Sequence, residues 1–401
     1  MAITIPDDYV YLDYAATAPL CEEAARAMAP FFLSGRAGVS AQGNANSLHR
    51  PGRAAFAELE QARRSLAESL GAARPDEVTF TSGATEADNA ALLGIARAVA
   101  NKRRMQGAKE KPHVVVSAIE HDAVLAPAKQ LAAEGFEVTR VRPDRQGFIE
   151  SRALEAVLRP ETVLVSVQAA NSEVGSIQPV AELAALTRET GAFFHADATQ
   201  ALGKAFVDVA EWGVDAASFS AHKAGGPKGV GALYLKARTP FAPVALGGGQ
   251  ELGRRSGTQN VAGAVGFAAA ARAAQSGWED EAARLRGLRD RLYAQACALD
   301  GVEATVEVEA GSQDFLPNIV HLLVHGLESE TLVLRLDALG FGVSGGSACS
   351  SQSLEPSHVL TALGVSDDDA HEALRVSMGR FTTERDIDGF IDALRKTLDW
   401  A

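Results

Sequence analysis

Four short stretches of this chain carry side chains whose types and spacing suit covalent chemistry on an amine. In Ser218-Phe-Ser-Ala-His-Lys223-Ala-Gly-Gly-Pro-Lys228 a lysine follows directly on a buried-looking strand and is flanked by small residues. Partial desolvation there favours the neutral, nucleophilic amine that a Schiff base requires. In Phe193-Phe-His195-Ala-Asp197-Ala-Thr-Gln200 an aspartate stands at a strand end, where a buried carboxylate needs a cationic or hydrogen-bonding partner. A protonated pyridine nitrogen is one such partner, and the pairing would strengthen the electron-withdrawing power of a pyridoxal ring. Val78-Thr-Phe-Thr-Ser82-Gly-Ala-Thr-Glu86 reads as strand, tight turn and helix start, and backbone N–H groups at a helix N-terminus make a phosphate site. Cys349 lies in Val343-Ser-Gly-Gly-Ser-Ala-Cys-Ser-Ser-Gln352. Such small residues predict a mobile loop whose thiol could approach a bound substrate and then swing outward. Taken singly, each stretch also has an ordinary reading: a surface lysine in a glycine loop, a turn carboxylate, a helix cap, an incidental loop cysteine.

These residues need a scaffold that brings strand ends together. Seven β-rich runs, Val78-Thr81, Val114-Ser117, Val138-Val141, Val163-Val167, Ala192-His195, Ala216-Ser220 and Gly231-Leu235, alternate with helix-length patterns. That alternation predicts an α/β domain with a mainly parallel seven-stranded sheet covered on both faces, and ligands of such sheets bind beyond the carboxyl ends of the strands. A large domain over residues 15–255 follows. After Gly247-Gly248-Gly249 a long helical region to about Leu299 precedes strands near Val302-Val308 and Asn318-Leu323. This predicts a smaller α+β domain over 256–401, joined by residues 1–14. Lys102 to Lys111 reads as a solvated loop.

The bulk numbers narrow the partners. The 401 residues are 47% hydrophobic and 22% charged, the balance of an ordinary globular protein, and the net charge is -13. That charge disfavours direct nucleic-acid binding or docking on an anionic bilayer, since both need a positive surface. Three cysteines, Cys21, Cys297 and Cys349, build neither a disulfide framework nor a zinc site, which fits a reducing, cytoplasmic compartment. Cys21 begins a helix and Cys297 sits in an apolar helix, so core packing is expected of both. No metal site, export signal or spanning segment is evident, and Val261 to Ala274 reads as a packed helix.

Order and co-occurrence raise these fragments above their separate ordinary readings. The motifs Tyr11-Leu-Asp-Tyr-Ala-Ala16, Thr81-Ser-Gly-Ala-Thr-Glu86, Glu120-His121, Asn171-Ser-Glu-Val-Gly175, His195-Ala-Asp-Ala-Thr-Gln200, Ser220-Ala-His-Lys223, Arg255-Ser-Gly-Thr258, Ser347-Ala-Cys349 and Arg375-Val-Ser-Met-Gly-Arg-Phe-Thr382 occur in sequence. With them the chain resembles a cysteine desulfurase of the class V aminotransferase group, in the branch with the longer cysteine loop. The resemblance implies a fold-type I pyridoxal-phosphate transferase, homodimeric, acting on L-cysteine. It assigns Lys223 to the Schiff base and proton transfer, His121 to ring stacking and acid-base steps, and Asp197 to the pyridine nitrogen. Asn171 and Gln200 would contact the ring's phenolic oxygen or the substrate. Ala84, Thr85, Ser220 and His222 would hold the phosphate, with Thr258 reaching the phosphate of the neighbouring subunit. Arg375 would bind the substrate carboxylate, which suits a planar guanidinium. Cys349 would take the sulfur as a persulfide and deliver it to an iron-sulfur scaffold or another sulfur-acceptor protein.

The chain departs from the pattern at Ser172, where a second Asn is frequent, at Ala224-Gly225 and at Gly346, and it stops at Trp400-Ala401 without the tail of some longer-loop members. The rival readings are a selenocysteine lyase or other class V aminotransferase-type enzyme, which needs no loop thiol, and a non-catalytic scaffold subunit.

Overall fold

The computed structural model describes residues 5–38, 43–345 and 356–399. Twelve strands occur among them: β1 Val10–Tyr11, β2 Val78–Thr81, β3 His113–Ser117, β4 Glu137–Val141, β5 Thr162–Ser166, β6 Phe193–Asp197, β7 Ala216–Ser220, β8 Gly231–Leu235, β9 Val302–Ala304, β10 Ile319–Val324, β11 Phe341–Gly342 and β12 Ala373–Ser377. Seven form one sheet in the order β2-β8-β7-β6-β5-β3-β4. Only β8 runs against its neighbours. The other six therefore end at one edge, which collects the turns after Thr81, Ser117, Ser166, Asp197 and Ser220. The expected α/β sheet is present, and each of its strands begins and ends within two residues of the run read from sequence.

Residues in β2, β3, β5, β7 and β8 are buried throughout, as strands covered on both faces must be. Side-chain alternation divides the contacts. Val115, Val165, Phe194 and Ala196 join the core shared with helices Arg50–Ser69 and Val261–Gln275. Val114, Val116 and Leu164 join the opposite core, under helices Ala84–Met105 and Asp122–Ala133. His195 and Asp197 alternate with Phe194 and Ala196, so they share the face covered by Ala84–Met105. This register places both beside that helix's first turns.

The second sheet is antiparallel, β12-β10-β9, and helices Trp278–Ala296 and Glu384–Leu398 cover it. Ile387, Phe390, Ile391 and Leu394 repeat at the i, i+3, i+4, i+7 spacing of one helix face and are all buried. A reciprocal cap between Thr383 and Asp386 starts that helix. The strand expected over Val302-Val308 covers only Val302–Ala304. The long helical region breaks at Ser276-Gly277. Its first half, Val261–Gln275, sends Val261, Ala264 and Phe267 into the core of the seven-stranded sheet.

One expectation fails outright. Cys297 does not pack inside an apolar helix; it is the exposed residue that ends Trp278–Ala296, because the helix stops there and its apolar neighbours turn away. Cys21 is buried and starts helix Glu22–Met28, its sulfur accepting the Ala24 N–H at 3.4 Å. No described helix is long and apolar enough to cross a membrane.

Candidate active site

The turns at the shared strand edge surround a cavity of about 610 Å³. Lys223 enters it from the short 3-10 turn Ala221–Ala224 that follows β7, where Gly225 at φ 78° closes the turn. Its Nζ donates to the carbonyls of Ala15 (2.5 Å) and Ala16 (2.9 Å). Ala15 also accepts from Gln200 Nε2 at 2.9 Å, so the amino-terminal segment fixes two cavity side chains at once. Asp197, the last residue of β6, is 8% exposed and accepts the Thr199 N–H at 2.9 Å. His121 begins helix Asp122–Ala133, and its Nδ1 accepts the Ala123 N–H at 3.0 Å. That contact leaves Nε2 as the proton-bearing nitrogen of the neutral ring.

Ser82 and Gly83 turn the chain from β2 into helix Ala84–Met105, whose N-cap Gly83 provides no side-chain cap. First-turn N–H groups have no intrahelical partner, and Ala84, Thr85, Ser220 and His222 line the cavity around this end. The turn itself is packed closely on the sheet: a Cβ on Gly231 of β8 would stand 2.6 Å from the Gly83 carbonyl carbon. Arg375 reaches the cavity from β12 of the small sheet, donating to Asp13 Oδ1 and to the Ser172 carbonyl, each at 2.9 Å. The Ser344 and Arg375 backbones hydrogen-bond each other in both directions. Cys349 lies outside the described residues, five positions beyond Ser344.

These groups fit pyridoxal phosphate by chemistry: an amine, a strand-end carboxyl, a ring-sized space beside an imidazole, and an uncapped helix end with hydroxyl and imidazole neighbours. The aminotransferase class-V family model matches residues 10–390. The cysteine desulfurase IscS of Dictyoglomus turgidum is 40% identical over 390 residues, 97% of this chain and 94% of that protein. This chain belongs to the cysteine desulfurase family. A solved NifS-like protein superposes with a TM-score of 0.87 at 35% identity, covering 98% of this chain and all of that one. SspA, solved in complex with cysteine, gives 0.76 at 30%, over 93% of this chain and 100% of its own. The family is pyridoxal-phosphate dependent.

Within this desulfurase fold, the expected residues separate into two groups. Ala84, Thr85, His121, Asp197, Gln200, Ser220, His222, Lys223 and Arg375 all line the cavity. Asn171 does not. Its Oδ1 accepts the Glu173 and Val174 N–H groups at 2.8 and 2.9 Å, and its Nδ2 donates to the Ile119 carbonyl at 3.3 Å, so it shapes the turn after β5. Thr258 is exposed and away from the lining. A second hollow of about 240 Å³ abuts Lys223 from behind, with Cys21, Leu202 and Met378 in its walls; it has no counterpart to the Asp197 and His121 pair.

Burial sets the charges around the site. His222 is pushed down to about 4 by desolvation, helped by Lys223, Lys204 and Lys228, so its ring is neutral at pH 7, with Nδ1 placed 3.1 Å from Thr17 Oγ1. Glu120, immediately before His121, is wholly buried and pushed up to about 8 by desolvation. Its Oε1 takes the Ser117 hydroxyl at 2.5 Å and the Gln168 N–H at 2.7 Å, while Oε2 has no partner among the described residues. Gln168 and Asp88 also line the cavity and were missed by the sequence reading. For Asp88 a signal existed: a carboxyl among Ala87, Ala91, Leu92 and Ile95 on an otherwise apolar helix face.

Proposed function

We propose that this desulfurase binds pyridoxal phosphate in the cavity, converts L-cysteine to L-alanine, and takes the sulfur as a persulfide on Cys349 for delivery to an acceptor protein, with iron-sulfur cluster assembly as its destination. The observation that carries the reading is the meeting of Lys223, Asp197 and His121 in one cavity with Arg375 at its wall. When bound, the cofactor supplies the electron sink for α-proton loss and for the departure of sulfur. Lys223 would hold it through its amine, and the same amine is placed to move the proton at the substrate Cα. Asp197 would accept the pyridine N–H, His121 would lie against the ring, and the Gly83-Ala84 end of the helix with Thr85, Ser220 and His222 would hold the phosphate. Arg375 receives the substrate carboxylate through the guanidinium edge that Asp13 and Ser172 leave open. Gln200, steadied by Ala15 and by Lys204 Nζ at 3.2 Å, faces the ring oxygen, and Asn171 supports that wall from behind.

The sulfur step balances without an outside oxidant. The Cys349 thiolate forms an S–S bond, the substrate C–S bond breaks, and its electron pair stays with Cβ, which gains a proton to become the alanine methyl. A five-residue tether from Ser344 spans at most about 18 Å, and Ser344 is already hydrogen-bonded to the Arg375 backbone. For the assembly, we assign residues 15–255 to cofactor binding, with helix Val261–Gln275 packed into their core, and the rest of 256–401 with 1–14 to the cysteine-bearing unit, in a homodimer. An exposed Thr258, together with exposed Leu48, Phe56 and Leu252, supports that pairing.

The test is to mix the purified chain with pyridoxal phosphate and L-cysteine and to assay alanine and sulfide with and without a thiol reductant. Equal alanine and sulfide are expected, with faster turnover when the reductant discharges the persulfide. Cys349→Ala is expected to abolish both, whereas a transaminase would be little affected. Alanine without sulfide or persulfide would refute the reading.

A further inference from the structure

One buried acid has no part in the chemistry above. Asp88 lies one turn into helix Ala84–Met105, lines the cavity, and has no solvent exposure. Neither of its carboxyl oxygens makes a hydrogen bond among the described residues. The groups facing it come from three elements. They are His195, with Nε2 3.6 Å from Asp88 Oδ1, and Asp197 on β6; Ser218 on β7; and Glu120 after β3. None of them is a cation. His195 is fully buried, holds Ser166 Oγ at 2.8 Å on Nδ1 and Ser218 Oγ at 2.9 Å on Nε2, and is driven down to about 3 by desolvation.

An ionised carboxylate with no hydrogen bond and no counter-ion is among the costliest groups to bury, and a second carboxylate alongside raises that cost. Of the two aspartates, Asp197 is the more open to the cavity, 8% exposed against 0%. We propose that Asp88 is a positioning residue that keeps its proton beside the cavity and so reserves the negative charge there for Asp197, the carboxyl that meets the cationic ring nitrogen. Burial and the neighbouring carboxyls push Asp88 well above the ordinary aspartate range, in the direction the geometry requires. Its O–H is then free for the Ser218 hydroxyl, extending the Ser166–His195–Ser218 row that crosses β5, β6 and β7. The ring-nitrogen part rests on the pyridoxal-phosphate reading; the protonation of Asp88 does not.

The experiment compares the full-length chain with Asp88→Asn, Asp88→Ser and Asp88→Ala. Infrared spectra of the cofactor-free proteins at neutral pH are expected to show a protonated-carboxyl band in the parent that Asp88→Asn loses. A carboxyl that keeps its proton on folding makes the fold lose stability as pH rises above the ordinary aspartate value. Asp88→Asn lacks that loss, so its denaturation midpoint relative to the parent is expected to climb steadily from pH 4 to pH 8. In pyridoxal-phosphate titrations followed by visible absorbance, Asp88→Asn should hold Kd within about threefold, while Asp88→Ala weakens it more than tenfold. Loss of a carboxylate band instead, a midpoint difference that is flat with pH, or failure of both Asp88→Asn and Asp88→Ser to fold would overturn the proposal. A parent chain that binds no pyridoxal phosphate would refute the cofactor reading and leave the infrared result to decide Asp88 alone.

Discussion

The molecule holds two histidines set among carboxyl groups, one on each sheet, and they are driven in opposite directions. His195 on β6 of the large sheet has Asp88 at 3.6 Å yet is pushed down to about 3, because it is wholly buried. His325, just past β10 of the small sheet, has Glu372, Glu303 and Asp369 at 3.0, 3.3 and 3.7 Å and is raised, chiefly by its hydrogen bond to Glu372. Proximity to acids is common to both, so it does not decide the sign. Water does: His325 is open to solvent and its hydrogen bond to Glu372 stabilises the imidazolium, whereas around His195 burial raises Asp88 and leaves the ring neutral. The cavity floor is thus a set of neutral groups around Asp197, and the outer cluster is an ordinary screened ion pair.

Substitutions can break or sharpen that contrast. The largest effect is expected from Asp197→Ala, which removes the charge the floor is arranged to present: alanine formation from cysteine should fall about a thousandfold in kcat/KM, roughly 4 kcal/mol of transition-state stabilisation. Retention within tenfold would mean that a charged floor is unnecessary. His195→Ala should cost about 3 kcal/mol by urea denaturation, from a core void and two stranded hydroxyls. That cost should shrink by about 2 kcal/mol from pH 8 to pH 5, since the unfolded imidazole gains a proton below its ordinary value of 6.5 while the folded ring, held near 3, does not.

Glu120→Gln should act in the other direction. A folded value of about 8 against an ordinary 4.5 means that stability is lost as pH rises between those values. The amide, which cannot ionise, should therefore match the parent at pH 4 and already exceed it by about 2 kcal/mol at pH 6. The smallest change belongs to His325→Gln, under about 1 kcal/mol and screened by salt. Because His325 is raised, its contribution should be complete below the ordinary histidine value and vanish as pH climbs through the folded one. A His325 effect that grew with pH would reverse the contrast.

The strands were legible because fully buried parallel strands are short β-branched runs such as Val114-Val115-Val116, bounded by polar turns. Lys223 and Asp197 were legible as cavity residues for a related reason: a parallel sheet delivers whatever follows its strand ends to one edge; His121 came only with the family resemblance. Asn171 shows where that logic runs short, since asparagine suits a binding wall and a tight turn equally, and here its Oδ1 is occupied by two backbone N–H groups. Cys297 was misplaced because alanines and leucines surround it in sequence while the helix ends beneath it. Asp88 escaped because a helical aspartate normally faces water; its apolar helix face was the one hint in the sequence, and the strand register, with His195 and Asp197 turned toward Ala84–Met105, shows why this one does not.

The segment from Val10 to Thr17 works as a tie-rod. One end is paired to Phe341 and Ser377 of the small-sheet side; the other clasps Lys223, Gln200 and His222 through Ala15, Ala16 and Thr17. Any tilt between the two halves of the molecule pulls first on the reactive amine, so a protease or ligand that loosened this thread would detune the enzyme without touching a single residue that performs the reaction.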